Sequence, residues 1–338
     1  MKNIIKILSI AFLACAFLMS CEGPAGPLGA DGADGISGVD GVDGNAVCLE
    51  CHNETTRDLV AEQYEESTHG TSNLMYTGQT VYEYTNSEEC GKCHSNEGFK
   101  ETQHTGLDTI FAPYGIPTRI QCETCHDFHE TLDFSDSTNV DYALRTRTSV
   151  ALLMDDGATF LDFGNNSNLC TNCHQPRTAA PVDPGSGFVE ITSKYYGPHH
   201  GPQSTILAGI KAYEISGSTS YPSSDHAHKA GACNECHMNE QNHTMEADLD
   251  ACKVCHEGAT DFDVEDVQTD VASKLAELKT ALTNASLLDG DGYPVPGTYG
   301  IDTVGIIYNY KTVQEDRSMG VHNPPYILAL LQNSIEAL

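Results

Sequence analysis

Six times this chain sets two cysteines three residues apart with a histidine directly after the second: Cys48, Cys51 and His52; Cys90, Cys93 and His94; Cys122, Cys125 and His126; Cys170, Cys173 and His174; Cys233, Cys236 and His237; Cys252, Cys255 and His256. Two thiols at that spacing can add to the two vinyl groups of one porphyrin, and the adjoining imidazole can reach its iron. The pattern is the attachment signature of haem c. A bare Cys-x-x-Cys pair would equally serve as half of a tetrahedral zinc site. The histidine decides between them. With 15 histidines in 338 residues, chance would place one after all six pairs about once in a hundred million trials. Redox dithiols would need strand–helix–strand surroundings, which the flanking sequence lacks. Six haem c groups are the expected cofactors.

An iron held by two imidazoles needs a second histidine from elsewhere. Nine remain: His69, His104, His129, His199, His200, His226, His228, His243 and His322. Taking 199/200 and 226/228 as neighbours leaves seven positions for six irons, so the supply just exceeds the demand. His129 lies three residues beyond His126, too near to serve that iron from its opposite face, and is expected to reach a neighbouring one. Met75, Met154, Met238, Met245 and Met319 rank below the histidines as ligands, because thioethers also fill packing gaps at little cost.

The elements that must carry these residues follow. Lys2 and Lys6 flank the start of an apolar stretch, Ile7 to Met19, which reads as an export signal over residues 1–20. Leu18-Met19-Ser20-Cys21 has the form of a lipobox, with Cys21 the acylated first residue of the mature chain. Of 14 cysteines, twelve sit in the six motifs, Cys15 lies inside the signal and Cys21 takes lipid, so none remains for a structural disulfide. Glycine recurs at every third position from Gly23 to Gly44. That collagen-like register has only Pro24 and Pro27 as ring-constrained residues and reads as a stalk over 21–46 rather than a stable triple helix.

Residues 47–260 form the haem domain. A helix is expected near Thr55–Ser67 and a turn-rich stretch from Gly106 to Pro117. A small β-hairpin insertion would run along Ala143–Leu152, turn at Asp155-Asp156-Gly157 and return over Ala158–Phe163. Residues 178–223, rich in Pro, Gly, Ser and Thr, read as irregular wrap. In the C-terminal part, 261–338, Val267, Val271, Leu275, Leu278 and Leu282 share one helical face. A break follows at Asp289-Gly290-Asp291-Gly292, whose aspartates suit turn chemistry better than a calcium loop. A second helix is expected over Val304–Glu315, and a third from the Asn323-Pro324-Pro325 cap. The expected fold class is mainly α with extensive irregular loops, built around a haem stack, because six cofactors share about fifty residues each. Such a chain should fold fully only with its cofactors.

The formal charge of −31 becomes −33 once Lys2 and Lys6 leave with the signal. That argues against nucleic acid and for a surface steering toward cationic patches or metal ions.

Asn168-Leu169-Cys170-Thr171-Asn172-Cys173-His174, Gly197-Pro198-His199-His200-Gly201-Pro202-Gln203, Cys236-His237-Met238 and Asp316-Arg317-Ser318-Met319-Gly320-Val321-His322-Asn323-Pro324 together resemble exported bacterial multihaem c-type cytochromes. The Gly-Val-His-Asn-Pro stretch before a last helix is also similar to the C-terminal part of the pentahaem nitrite reductase and octahaem families. The resemblance implies that His322, and His199 or His200, are distal ligands. Reductases of that superfamily commonly mark the catalytic haem with Lys in place of the motif histidine, whereas all six motifs here end in His.

The expected function is electron relay through six bis-His haems in an exported protein, lipid-anchored at the outer membrane, cell surface or periplasmic face. Its partners would be redox proteins or an extracellular acceptor, and the C-terminal helices offer a surface for dimerisation; another reading is a filament subunit with haems stacked continuously between copies, which needs exposed terminal haems. The competing class is a reductase of nitrite, hydroxylamine or a sulfur oxyanion with one open iron. Arg145, Arg147, Tyr195 or a spare histidine would then donate a proton or clamp an anion, although structural work suits those residues better.

Overall fold

A computed structural model describes residues 44–71, 87–115, 117–132, 134, 140–222 and 231–338. The export signal with Cys15, the lipobox with Cys21, the glycine repeat up to residue 43, Met75, His226 and His228 lie outside the described residues. The chain divides into two units, Met1–Cys51 and His52–Leu338. In the first, the described part is helix α1 (Gly44–Cys51).

The second unit is mainly helical, with short helices, loops and two small sheets. Helix α2 (Glu54–Glu66) opens where the Asn53 side chain accepts the Thr56 N–H at 2.8 Å. An N-cap of this kind is worth about 1 kcal/mol. Ser67 ends it, donating to Tyr64 O and accepting from Gly70 N. The single turn α3 (Thr68–Thr71), which carries His69, follows at once. Two motif turns, α4 (Gly91–His94) and α6 (Cys122–Cys125), flank the ten-residue helix α5 (Asn96–Thr105).

The hairpin insertion is present but short. Strand β1 (Val150–Ala151) pairs antiparallel with β2 (Phe160–Leu161) around a 3-10 turn at Leu153–Asp155. The earlier part of the alternating run is drawn elsewhere, since Leu144 forms an isolated bridge with His126. Next come α7 (Ser167–Thr171), β3 (Phe188–Ile191) and α8 (Gln203–Ala208). The stretch expected as irregular wrap therefore holds a strand and a helix. It pairs across the chain: β3 runs antiparallel to β4 (Gly297–Gly300), Val189 opposite Tyr299.

After α9 (Asn234–His237) and α10 (Leu249–Lys253) the chain builds its apolar core. Helix α11 (Val267–Asn284) buries Val271, Leu278 and Leu282 completely, with Val267 and Leu275 half-buried on the same stripe. Helix α12 (Ile301–Asp316) starts three residues before the expected position, directly from β4. Almost its whole circumference from Val304 to Val313 is buried, because loop 212–215 covers its outer side. Asn309, fully buried, accepts from Tyr213 N at 2.9 Å and donates to Tyr213 O at 2.7 Å. Helix α13 (Pro324–Glu336) is capped by Asn323, whose side chain accepts the Tyr326 N–H. The core joins these helices to Ile191, Ile206 and Ile215. Among the described residues, no helix is long and apolar enough to cross a membrane.

Candidate metal centres

Each motif in the second unit is one turn of helix closed by its own histidine. The N–H of His94 donates to Cys90 O at 3.1 Å, His126 to Cys122 O at 2.9 Å, His174 to Cys170 O at 3.0 Å, His237 to Cys233 O at 2.9 Å and His256 to Cys252 O at 2.8 Å. An i to i−4 bond puts side chains i, i+3 and i+4 on one face. Both thiols and the imidazole therefore point the same way, as attachment to a single flat group requires. All twelve motif cysteines are free thiols, with Cys48, Cys51, Cys122 and Cys255 exposed.

Neighbouring segments hold these turns. Against α4, Gly98 comes so close that a Cβ would stand 2.3 Å from Gly91 O. Arg145 clamps α6: Nη2 donates to Glu123 O at 2.7 Å and His126 O at 3.0 Å, and Nη1 pairs with Asp127 at 2.6 Å. Its donors are spent on the motif turn. Tyr195 is exposed and sets its ring edge-on to Tyr293 under Lys194; Arg147 O accepts from Asn168.

The histidines come together in twos. His52 faces His129 with ring centroids 6.0 Å apart, His174 faces His69 at 6.1 Å, His126 faces His243 at 6.3 Å and His237 faces His322 at 6.3 Å. Each of these four pairs joins one motif histidine to one of the other nine. Two metal–imidazole bonds of about 2 Å on opposite faces of one ion, with about 1.1 Å from each nitrogen to its ring centre, put the centroids about 6.2 Å apart. The four separations match that span, and the partners come from segments up to 117 residues apart (126 to 243). Among the described residues no group of three or more His, Cys, Asp or Glu side chains could hold a metal ion. The donors are arranged as facing imidazoles rather than as a tetrahedron.

In six of the eight paired rings the second nitrogen has a partner of its own. Nδ1 of His126 lies 2.9 Å from Tyr142 O, that of His129 2.9 Å from Asp141 O, that of His237 2.9 Å from Met245 O and that of His243 2.8 Å from Gln241 O. Carbonyl oxygens only accept, so Nδ1 carries the proton and Nε2 keeps its lone pair. Two rings lean on carboxylates instead: His322 on Asp316 at 2.7 Å and His200 on Glu315 at 2.6 Å. The Nδ1 of His69 meets the Met245 sulfur at 2.9 Å. Orienting partners of this kind fix the tautomer and the aim of a ligand.

Burial favours the neutral form, the one that binds metal, at several of these imidazoles. It pushes His174 down to about 4 and lowers His69, His94, His237 and His243. His322 differs. Burial lowers it too, but the charge and hydrogen bond of Asp316 outweigh burial and raise it.

For His94 the neighbours are His199 and His200, whose rings lie 5.4 Å apart. Burial lowers the pKa of His94 and the His200 and Arg177 charges add to it; His199 is held at about 4 by burial, then by His200, Arg177 and His94. Their loop is built from unusual backbone. His199 (φ 67°), His200 (φ 39°) and Gly201 (φ 120°) are all left-handed, a conformation that costs a non-glycine residue about 1 kcal/mol or more and gathers at functional sites. His104 is exposed on the last turn of α5. His256 closes α10's motif turn, while His226 and His228 lie outside the described residues.

The motif turns also touch one another. Cys93 Sγ reaches Asn172 O and Cys173 Sγ reaches Lys92 O, both at 3.9 Å, so the second and fourth motifs lie thiol beside thiol, as do Cys170 and Cys233. The α7 hydroxyl of Ser167 accepts from Cys233 N and Asn234 N at 3.0 and 3.1 Å. Asn96 links α5 to α6, donating to Glu123 at 2.7 Å and accepting from Thr124 at 2.8 Å. Asp248 N donates to Cys236 O at 3.1 Å, tying the fifth motif to the sixth. Lys92, inside the second motif, is buried and paired with Asp108 at 2.6 Å. The orienting residues Asp141, Glu315 and Asp316 carried no sequence signal of their role, and the carbonyl acceptors carry none in principle.

No protein-family model matches the chain, and no curated protein matches it. Among solved structures, the outer cell wall cytochrome OcwA is similar at 19% identity with a TM-score of 0.46, over 81% of this chain and 49% of that one. The chain thus spans about half the length of that cytochrome.

Proposed function

We propose that this chain is an exported six-haem c-type cytochrome that relays single electrons, lipid-anchored through Cys21 and passing charge to redox proteins or an extracellular acceptor. The observation that carries the reading is the set of four histidine pairs at 6.0–6.3 Å, each joining a motif histidine to one outside the motifs.

The twelve motif cysteines would attach six porphyrins. His52/His129, His126/His243, His174/His69 and His237/His322 would hold four irons from both faces, and the His199-His200 loop would complete the iron of His94. The segment with His226 and His228 is left for His256. Bound haem supplies reversible one-electron chemistry, with a potential set by its axial ligands and their hydrogen bonds.

The rest is the work of this chain's residues. The carbonyls of Tyr142, Asp141, Met245 and Gln241 fix which nitrogen faces the metal. Two ligands per iron leave no coordination position for a substrate, which favours relay over reaction, as do six motifs that all end in His. Motif contacts suggest the route: the fourth motif touches the second through Cys93 and Cys173 and the fifth through Cys170 and Cys233, and the fifth leads to the sixth. His126 and His129, three residues apart, couple the first and third centres. The acidic surface suits a partner with a basic docking face.

The test is made on protein matured with haem. Mass spectrometry and pyridine haemochrome should count six haems, and electron paramagnetic resonance should show six low-spin irons that ignore carbon monoxide. A haem count below six, or a high-spin iron that binds carbon monoxide in the unmodified protein, would overturn the relay.

A further inference from the structure

We propose, resting on that reading, that Asp316 is a positioning residue that makes the centre of His237 and His322 a low-potential step in the relay. Among the described histidine pairs, His322 hydrogen-bonds its second nitrogen directly to a carboxylate, Asp316 Oδ1 at 2.7 Å, whereas His129 Nδ1 bonds the main-chain Asp141 O at 2.9 Å and keeps the Asp141 carboxylate at 3.6 Å. Its counterparts lean on neutral carbonyls, and His69 on a thioether, a weak acceptor.

The Asp316 side chain is fully buried, so water does not screen its charge from the ring as it would at the surface. It is also the last residue of α12, where the helix dipole places partial negative charge. Its other oxygen accepts from the Ser318 hydroxyl. Ser318 Oγ in turn accepts from Gly320 N at 3.2 Å and His322 N at 3.3 Å. The loop from α12 to α13 is therefore folded around one carboxylate aimed at one imidazole. A carboxylate pulling on the Nδ1 proton makes Nε2 the stronger donor. A stronger donor favours the more positive, oxidised iron and lowers the potential. The neighbouring centre at His174 and His69 has the opposite arrangement, with a weak acceptor behind His69. The low step thus lies directly beside the centre of His174 and His69, because Cys170 and Cys233 touch.

Glu315 holds His200 in the same way and provides a control on a different centre. The experiment is a spectroelectrochemical titration with parallel electron paramagnetic resonance on holoprotein carrying Asp316→Asn, Asp316→Glu, Ser318→Ala, Glu315→Gln or His322→Ala. His322→Ala should turn one of six irons high-spin and so mark the centre. If it does not, the proposed pairing fails and with it the premise. Asp316→Asn should keep six low-spin haems and move only that centre's midpoint to more positive potential, while Asp316→Glu restores it. Ser318→Ala, which leaves the carboxylate richer in charge, should move the same midpoint the other way and serves if Asp316→Asn does not mature. Glu315→Gln should leave that midpoint in place. Unmoved midpoints with six low-spin haems, or an Asp316→Asn protein whose marked iron simply turns high-spin, would overturn the tuning role.

Discussion

Asp141 offers a sharp test of how a distal ligand is presented. Its side chain is almost fully buried. One oxygen accepts from Thr131 N at 2.9 Å, Thr131 Oγ1 at 3.2 Å and Leu132 N at 3.2 Å, and the other accepts from Ala143 N at 3.0 Å. The donation from Thr131 N, outweighing burial with the help of the other donors, holds its pKa well below the usual carboxylate range. Those bonds fasten the segment that begins at His129, whose ring faces His52. Hydrogen bonds to a charged acceptor are worth about 1.5–3 kcal/mol each and are not additive, so Asp141→Ala should free the loop by about 4 kcal/mol, a factor of about a thousand in its open population. The main-chain carbonyl of residue 141, which receives His129 Nδ1, survives the substitution; the carboxylate 3.6 Å from that nitrogen is lost as well, but losing a charge that distant leaves the ring's hydrogen bond in place, so slow ligand access reports the loop. Carbon monoxide binding to the reduced holoprotein is the assay. The unmodified protein should be inert, His129→Ala should bind one equivalent quickly, and Asp141→Ala should bind one equivalent slowly, at a rate set by loop opening. An Asp141→Ala protein as inert as the unmodified one would refute the idea that these bonds present His129.

Gly98→Ala should destabilise the holoprotein by more than 2 kcal/mol and lower occupancy at Cys90 and Cys93, since the added Cβ meets Gly91 O at 2.3 Å and overpacking costs about 1–3 kcal/mol; chemical denaturation and peptide mapping of attached haem check it. Asn309→Leu should cost about 2–5 kcal/mol by leaving Tyr213 N and O unpaired, seen as a lower unfolding midpoint with all six haems retained.

Much of this architecture was legible in the residues, and the remainder was not for identifiable reasons. The six motifs declare themselves because attachment chemistry fixes types and spacing within five positions. Helix α11 declares itself because Val271, Leu278 and Leu282 repeat at the helical period. Number and type also pointed to nine candidate distal histidines, yet not to the pairing. Whether His69 meets His174 or His126 is decided by short pieces such as the single turn Thr68–Thr71, where one turn of backbone redirects a ring. Strand β3 was hidden because its partner, β4, lies across more than a hundred residues and neither has a clean alternation. The Nδ1 acceptors are mostly main-chain oxygens, which every residue possesses, so no residue type could announce them.

The distribution of apolar residues makes a further demand. Among the described residues, the fully buried hydrophobics before Val150 are Phe99 and Ile110, whereas the helices after residue 260 share one continuous core with Ile191, Ile206 and Ile215. The described residues of the first half therefore bury little of the apolar area that normally offsets chain entropy. What joins it instead is a set of long-range histidine contacts, 52 with 129, 69 with 174 and 126 with 243, which on the proposed function would be closed by a shared metal. Haem-free protein, made with the twelve motif cysteines changed to alanine, should accordingly keep a protease-resistant core from about residue 188 to the end and lose residues 52–145 rapidly. In the holoprotein both halves should resist. Equal resistance of the two halves without haem would show that the loops of the first half are held by something other than the centres they enclose.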